Sequence, residues 1–65
     1  MCQINVVVRQ NEEQRVVREA VTTLEVLPHG VLLHSFFEEP LEVPGVRIKK
    51  IDFLDGTVFL EPTGT

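Results

Sequence analysis

Short apolar runs rich in β-branched residues alternate along this chain with polar turn signals, a pattern typical of a small barrel or sandwich. In the first run, residues 4–9, side chains should alternate between the two faces of a strand, with Ile4, Val6 and Val8 on one face. The same pattern predicts further strands at residues 22–27, 31–37, 41–43, 46–53 and 57–60.

Proline and glycine mark the turns between these runs. The segment Pro28-His29-Gly30 should turn the chain, with Gly30 supplying a positive φ. Pro44-Gly45 suits a type II turn, and Asp55-Gly56 between two apolar runs predicts a tight hairpin.

Residues 11–24 are ambiguous by pattern alone. Val17, Val21 and Leu24 recur at helical spacing, and Asn11 with Gln14 resembles a helix capping box. Against a helix, the stretch contains five β-branched residues between positions 16 and 23, which lose rotamer freedom in helices. Periodicity therefore leaves helix and strand nearly even.

A chain of 65 residues makes one small domain, which we place at residues 1–61 with a tail at 62–65. Domains of this size are marginally stable alone and usually depend on disulfides, a metal or self-association. Cys2 is the only cysteine, so an intrachain disulfide is excluded.

The net charge of −4 disfavours partners that need a basic surface, namely nucleic acids and anionic membranes. The sequence also has no 18-residue apolar run and no signal peptide pattern. With one cysteine and no export signal, the expected location is the cytoplasm.

Candidate catalytic groups have simpler structural interpretations. No phosphate-binding loop, nucleophile elbow or zinc protease motif occurs. Glu38 and Glu39 are adjacent and would point to opposite faces of a strand, Asp55 belongs to a turn, and His34 and Ser35 are neighbours that would not converge. We therefore expect no catalytic residues, no organic cofactor and no enzyme activity.

The possible metal ligands are Cys2, His29 and His34, and they do not form a zinc-finger pattern. We expect His29 to lie in a turn and His34 in a strand. Cys2 differs because a thiol beside the chain start can combine with the α-amine and the intervening amide nitrogen. Such nitrogen and sulfur donors suit Ni(II) or Cu(II) in square-planar geometry, with binding that strengthens as pH rises because protons are displaced. The alternative is that Cys2 is a small apolar residue that begins a strand.

An ordered set of short segments resembles the CooT family of small nickel-binding proteins over nearly the whole chain. The segments are Met1-Cys2, Ile4-Asn5-Val6-Val7-Val8, Gly30-Val31, Phe36-Phe37-Glu38-Glu39, Val43-Pro44-Gly45, Ile48-Lys49-Lys50-Ile51-Asp52-Phe53 and Gly56-Thr57-Val58-Phe59-Leu60.

This resemblance implies an all-β, SH3-like barrel that forms a homodimer, and it favours a strand at residues 14–18 over a helix. It also implies a Ni(2+) site near the dimer interface, with Cys2 as the principal ligand and Met1 supplying supporting donors. If Met1 is removed in the cell, the amine moves to Cys2 and two chains would complete the site. The implied partner is carbon monoxide dehydrogenase or another nickel enzyme that accepts the ion.

Two other functions are compatible with the sequence. SH3-like and Sm-like barrels can bind RNA, but the chain has only four aromatic residues, all Phe, and one short basic segment at residues 47–50. A ligand-free protein–protein adaptor, in which Cys2 is only structural, is the second alternative.

Overall fold

The computed structural model describes residues 3–63, which form one six-stranded β-sheet and thereby confirm the all-β prediction. No helix in this part of the chain is long and apolar enough to cross a membrane. The strands are β1 (Ile4–Gln10), β2 (Glu13–Leu27), β3 (Gly30–Ser35), β4 (Leu41–Pro44), β5 (Val46–Asp52) and β6 (Thr57–Pro62).

The sheet curls into a half-barrel of the SH3-like class. Its strand order is β4-β3-β2-β1-β6-β5, in which β1 and β6 run parallel and the other neighbours are antiparallel. The two outermost strands, β4 and β5, are joined by Gly45 alone, so the sheet must bend until its edges meet there. The Gly45 N–H donates to the His29 carbonyl at 2.7 Å, and the Thr63 N–H donates to the Gly45 carbonyl at 2.9 Å. We call this junction the closed end.

Residues 13–27 form one long strand, whereas the sequence pattern predicted a strand at 22–27 and the family resemblance implied a separate one at 14–18. The strand interpretation of the ambiguous segment is therefore correct, but its division is wrong. β2 bends at Ala20, which has a φ of 57°, and the β1–β2 register shifts between the pairs Ile4–Val21 and Val6–Arg18. A bulge and a left-handed residue let the strand turn a barrel corner without ending.

Two strands end earlier than the sequence predicted. β3 ends at Ser35 rather than at Phe37, and β5 ends at Asp52 rather than at Phe53. The predicted Asp55-Gly56 hairpin exists, but its loop spans the four residues 53–56. Gly56 has a φ of 70°, and its N–H donates to the Asp52 carbonyl at 2.8 Å. At the other end of β6, Pro62 still belongs to the strand.

Gly30 does not have the positive φ that the sequence predicted. Its requirement is space: a Cβ at this position would collide with the backbone carbonyl of Val43 on β4. Glycine is therefore needed because two backbones approach closely and not because the turn is left-handed.

The core is aliphatic, and Val7 on the opposite face of β1 from Val6 is buried as well. On β1, Val6 is fully buried while Ile4 and Val8 pack against the core from either side, as the alternation predicted. The buried cluster consists of Val6, Val21, Val31, Leu33, Val46, Val58 and Leu60. None of the four phenylalanines belongs to it, so aliphatic packing alone supports the fold.

Candidate functional site

The predicted metal ligands Met1 and Cys2 lie outside the described residues, the first of which is Gln3. Gln3 precedes β1, whose first residue, Ile4, pairs with Val21; Val21 also pairs with Ser35 at the end of β3. On the other side of β1, the Asn5 N–H donates to the Gly56 carbonyl at 2.9 Å. β1 therefore begins at the end of the half-barrel that lies farthest from Gly45. We call this end the open end.

A small hollow of about 130 Å³ lies beside Gln3 at the open end. Its lining includes Glu19 from the bent part of β2 and Ser35, Phe36 and Phe37 from the end of β3. The Ser35 hydroxyl oxygen is buried and has no hydrogen-bond partner among the described residues. The residues nearest the chain start thus combine apolar rings, a carboxylate and an unsatisfied hydroxyl.

The two histidines do not converge on a common site. His29 occupies the turn between β2 and β3, and His34 lies in β3, as the sequence predicted. The His29 Nε2 lies 3.8 Å from a carboxylate oxygen of Glu42, and the His34 Nε2 lies 3.7 Å from one of Glu25. Each histidine is placed to form its own weak ion pair when protonated, which matches a structural role on an exposed surface.

The acidic residues considered as catalytic candidates also have structural partners. The Asp55 N–H donates to the Asp52 carboxylate at 3.0 Å, and the Asp55 carboxylate accepts from the Thr57 hydroxyl at 2.9 Å. Asp55 is therefore a turn residue, as predicted. Glu38 lies 3.3 Å from the Arg18 guanidinium, which also donates to the Glu39 carbonyl at 2.9 Å.

Residues 3–63 contain no cluster of three or more His, Cys, Asp or Glu side chains that could hold a metal ion. The predicted donors, the Cys2 thiolate with neighbouring nitrogen atoms, are of a type that nickel accepts, and this ligand set stays a prediction.

Sequence reasoning did not anticipate how apolar the open end is. Phe36 and Phe37 follow β3 and are 70% and 97% exposed, while Phe53 and Leu54 in the loop after β5 are 87% and 99% exposed. The sequence carries a signal for this exposure, because each of the two pairs directly precedes acidic or turn residues, and such residues mark the end of a strand. The strands predicted at 31–37 and 46–53 instead include Phe36, Phe37 and Phe53.

A protein-family model described as CO dehydrogenase accessory protein CooT matches residues 1–61. The chain belongs to the CooT family. The crystal structure of a protein assigned as CooT from Carboxydothermus hydrogenoformans is also similar, with a TM-score of 0.82 and 21% sequence identity. That similarity covers 94% of this chain and 97% of the other, and at this identity it supports the fold. Among curated proteins, no sequence matches this CooT family member.

Proposed function

We propose that this protein is a non-catalytic, cytoplasmic accessory protein that binds nickel as cargo and passes it to carbon monoxide dehydrogenase or another nickel enzyme. The observation that carries the proposal is the family match, which begins at residue 1 and therefore includes Met1 and Cys2. The absence of a multidentate cluster in residues 3–63 supports a site at the chain start, because the described fold offers no competing one.

The proposed ligands are the Cys2 thiolate and the amine and amide nitrogens of Met1 and Cys2. These donors give nickel(II) the nitrogen and sulfur environment that it accepts in tetragonal geometry. If Met1 is removed, each chain supplies fewer donors, and a homodimer that brings two Cys2 thiols together would complete four. Because the amine and thiol must lose protons, we expect affinity to rise with pH.

A nickel titration followed by absorbance tests the proposal. We expect charge-transfer bands from the thiolate to nickel, and we expect Cys2→Ser to abolish them. His34→Ala is the matched control, since it removes a metal-capable side chain that lies in β3 and pairs with Glu25. An unaltered titration in Cys2→Ser would refute the proposed site.

Native mass spectrometry on the same samples measures the metal content and the oligomeric state together. We expect a dimer, with one nickel shared by two chains if Met1 is absent. Nickel bound to a monomer of the Met1-cleaved protein would contradict the shared site while leaving Cys2 as a ligand.

A further inference from the structure

Several strand edges lack a partner strand among residues 3–63, and the edges of β2 and β5 are two of them. β2 pairs with β1 only as far as Val21, and from Val21 to Leu27 it pairs with β3 on its opposite side. The segment 22–27 therefore has one unpaired edge. β5 is the last strand in the sheet order and pairs only with β6, so its outer edge is unpaired as well.

An apolar groove of about 290 Å³ lies between these two edges. Leu24 and Val26 line it from β2, Ile48 and Ile51 line it from β5, and Ile4 and Val58 contribute from β1 and β6. Val26 and Ile51 are 67% and 42% exposed, although both face a concave surface. Open strand edges next to exposed apolar side chains are surfaces that soluble proteins usually protect unless they bind something.

The charge along β5 is opposite to that of the whole chain. Arg47, Lys49 and Lys50 are three of the six basic residues in a protein whose net charge is −4. Arg47 already bonds to Glu61 at 2.9 Å, and the Lys50 ammonium lies 4.8 Å from the centre of the Phe59 ring. Within residues 3–63, neither lysine forms an ion pair with a carboxylate.

We infer that this groove binds an extended segment of another protein, in which apolar residues alternate with acidic ones. The segment would add to the unpaired edge of β5 through backbone hydrogen bonds, as in other strand-addition complexes. Alternate side chains of a strand point to opposite faces, so one set would fill the groove while the other set would meet Lys49 and Lys50. Asp52 at the open end of β5 limits the favourable charge to the middle of the strand.

A second copy of this chain fits the groove less well. Antiparallel pairing of β5 with β5 would place the basic residues of one copy near those of the other, and like charges across strands are destabilising.

Selection from a random heptapeptide phage library against the full-length protein tests the inference directly. We expect the enriched peptides to alternate apolar and acidic residues. Titration of the best synthetic peptide, followed by NMR, should shift the amide signals of residues 22–27 and 46–52 and slow their hydrogen exchange.

Two valines on the same strand provide a matched pair of variants. Val26 lies in the groove, whereas Val16 lies outside it on β2 and is 53% exposed. Because both are largely exposed, Val26→Asp and Val16→Asp should both fold. We expect Val26→Asp to weaken peptide binding about tenfold or more and Val16→Asp to change it less than about twofold. Lys49→Glu should weaken binding and reduce its salt dependence.

Four results would overturn the inference: no enriched peptide, enriched peptides without acidic residues, equal loss in both valine variants, or groove signals that respond only to dilution of the protein itself. The last of these would identify a second copy as the occupant. The inference does not depend on nickel, so peptide binding should be unchanged in Cys2→Ser. A failed nickel titration and a failed peptide titration can therefore be told apart.

Discussion

The closed end and the open end of this half-barrel are built from the same sheet but are stabilised to different extents. At the closed end, backbone hydrogen bonds join Gly45 to His29 and to Thr63, and Val31 and Val46 are buried beside the junction. At the open end, β3 and β5 end, and the loops that follow them expose large apolar side chains. The same chain thus has a tightly connected region and an apolar, accessible one.

This difference indicates that the closed end contributes mainly to stability and the open end mainly to binding. The fold depends on the aliphatic residues of the buried cluster, while Phe36, Phe37 and Phe53 remain outside the core. Aromatic side chains carry large contact areas, and their exposure at the open end favours interaction over packing. We therefore expect substitutions at the closed end to affect folding and those at the open end to affect partners.

The largest difference is expected between two leucine truncations. Leu60 on β6 is fully buried, so Leu60→Ala should lower the free energy of unfolding by about 2–5 kcal/mol. Leu54 at the open end is 99% exposed, so Leu54→Ala should change it by less than about 0.5 kcal/mol. Urea denaturation measures both, and a similar loss in the two variants would contradict the division between the ends.

Gly30→Ala should be the next largest effect, because its new Cβ meets the backbone of Val43 and cannot be accommodated by a side-chain rotation. Overpacking of this kind costs about 1–3 kcal/mol. The same denaturation experiment checks it, with NMR signals of β3 and β4 expected to shift more than those of β1. An unchanged midpoint would show that the two strands can separate easily.

Ala20→Gly should have the opposite sign, because Ala20 adopts a left-handed conformation that disfavours a Cβ. The glycine relieves that strain but loses more entropy on folding, so a net gain of about 0.5–1 kcal/mol is expected. Glu19→Gly is the matched control, since Glu19 has no positive φ and should lose stability. If Ala20→Gly instead lowers the stability, the bend in β2 carries little strain and is maintained by packing.

Much of the fold could be predicted from the sequence, because β-branched alternation and the signals at Pro44-Gly45 and Asp55-Gly56 act locally. The face of β1 that carries Val6 and the turn role of Asp55 were correct for this reason. The division of β2 was wrong because no local residue type at Ala20 announces a bulge. Its backbone conformation is imposed by pairing with β1 and β3, which the sequence does not display.

The candidate site was less predictable. Local chemistry together with the family resemblance indicated Cys2, which lies outside the described residues and stays a prediction, whereas the positions of His29 in a turn and His34 in a strand were correctly predicted. The groove between β2 and β5 depends on which edges stay unpaired, and this follows from topology. The basic residues of β5 were visible in the sequence, but only the strand order places them at a free edge.

The last prediction concerns Arg18, which contacts the residues that follow Phe36 and Phe37 at the open end. Its guanidinium contacts the Glu38 carboxylate and donates to the Glu39 carbonyl, and its side chain is 21% exposed. Arg18→Met keeps much of the apolar stem and removes both contacts, so a loss of about 0.5–1 kcal/mol is expected. Faster hydrogen exchange should be confined to residues 36–39.

Arg47→Met at the closed end is the control. The Arg47 side chain in the pair with Glu61 is more exposed than that of Arg18, so its loss should change stability less. It should also leave hydrogen exchange at residues 36–39 unaffected. If exchange there is equally fast in both variants, Arg18 does not anchor the segment, and the exposed phenylalanines owe their position to β3 alone.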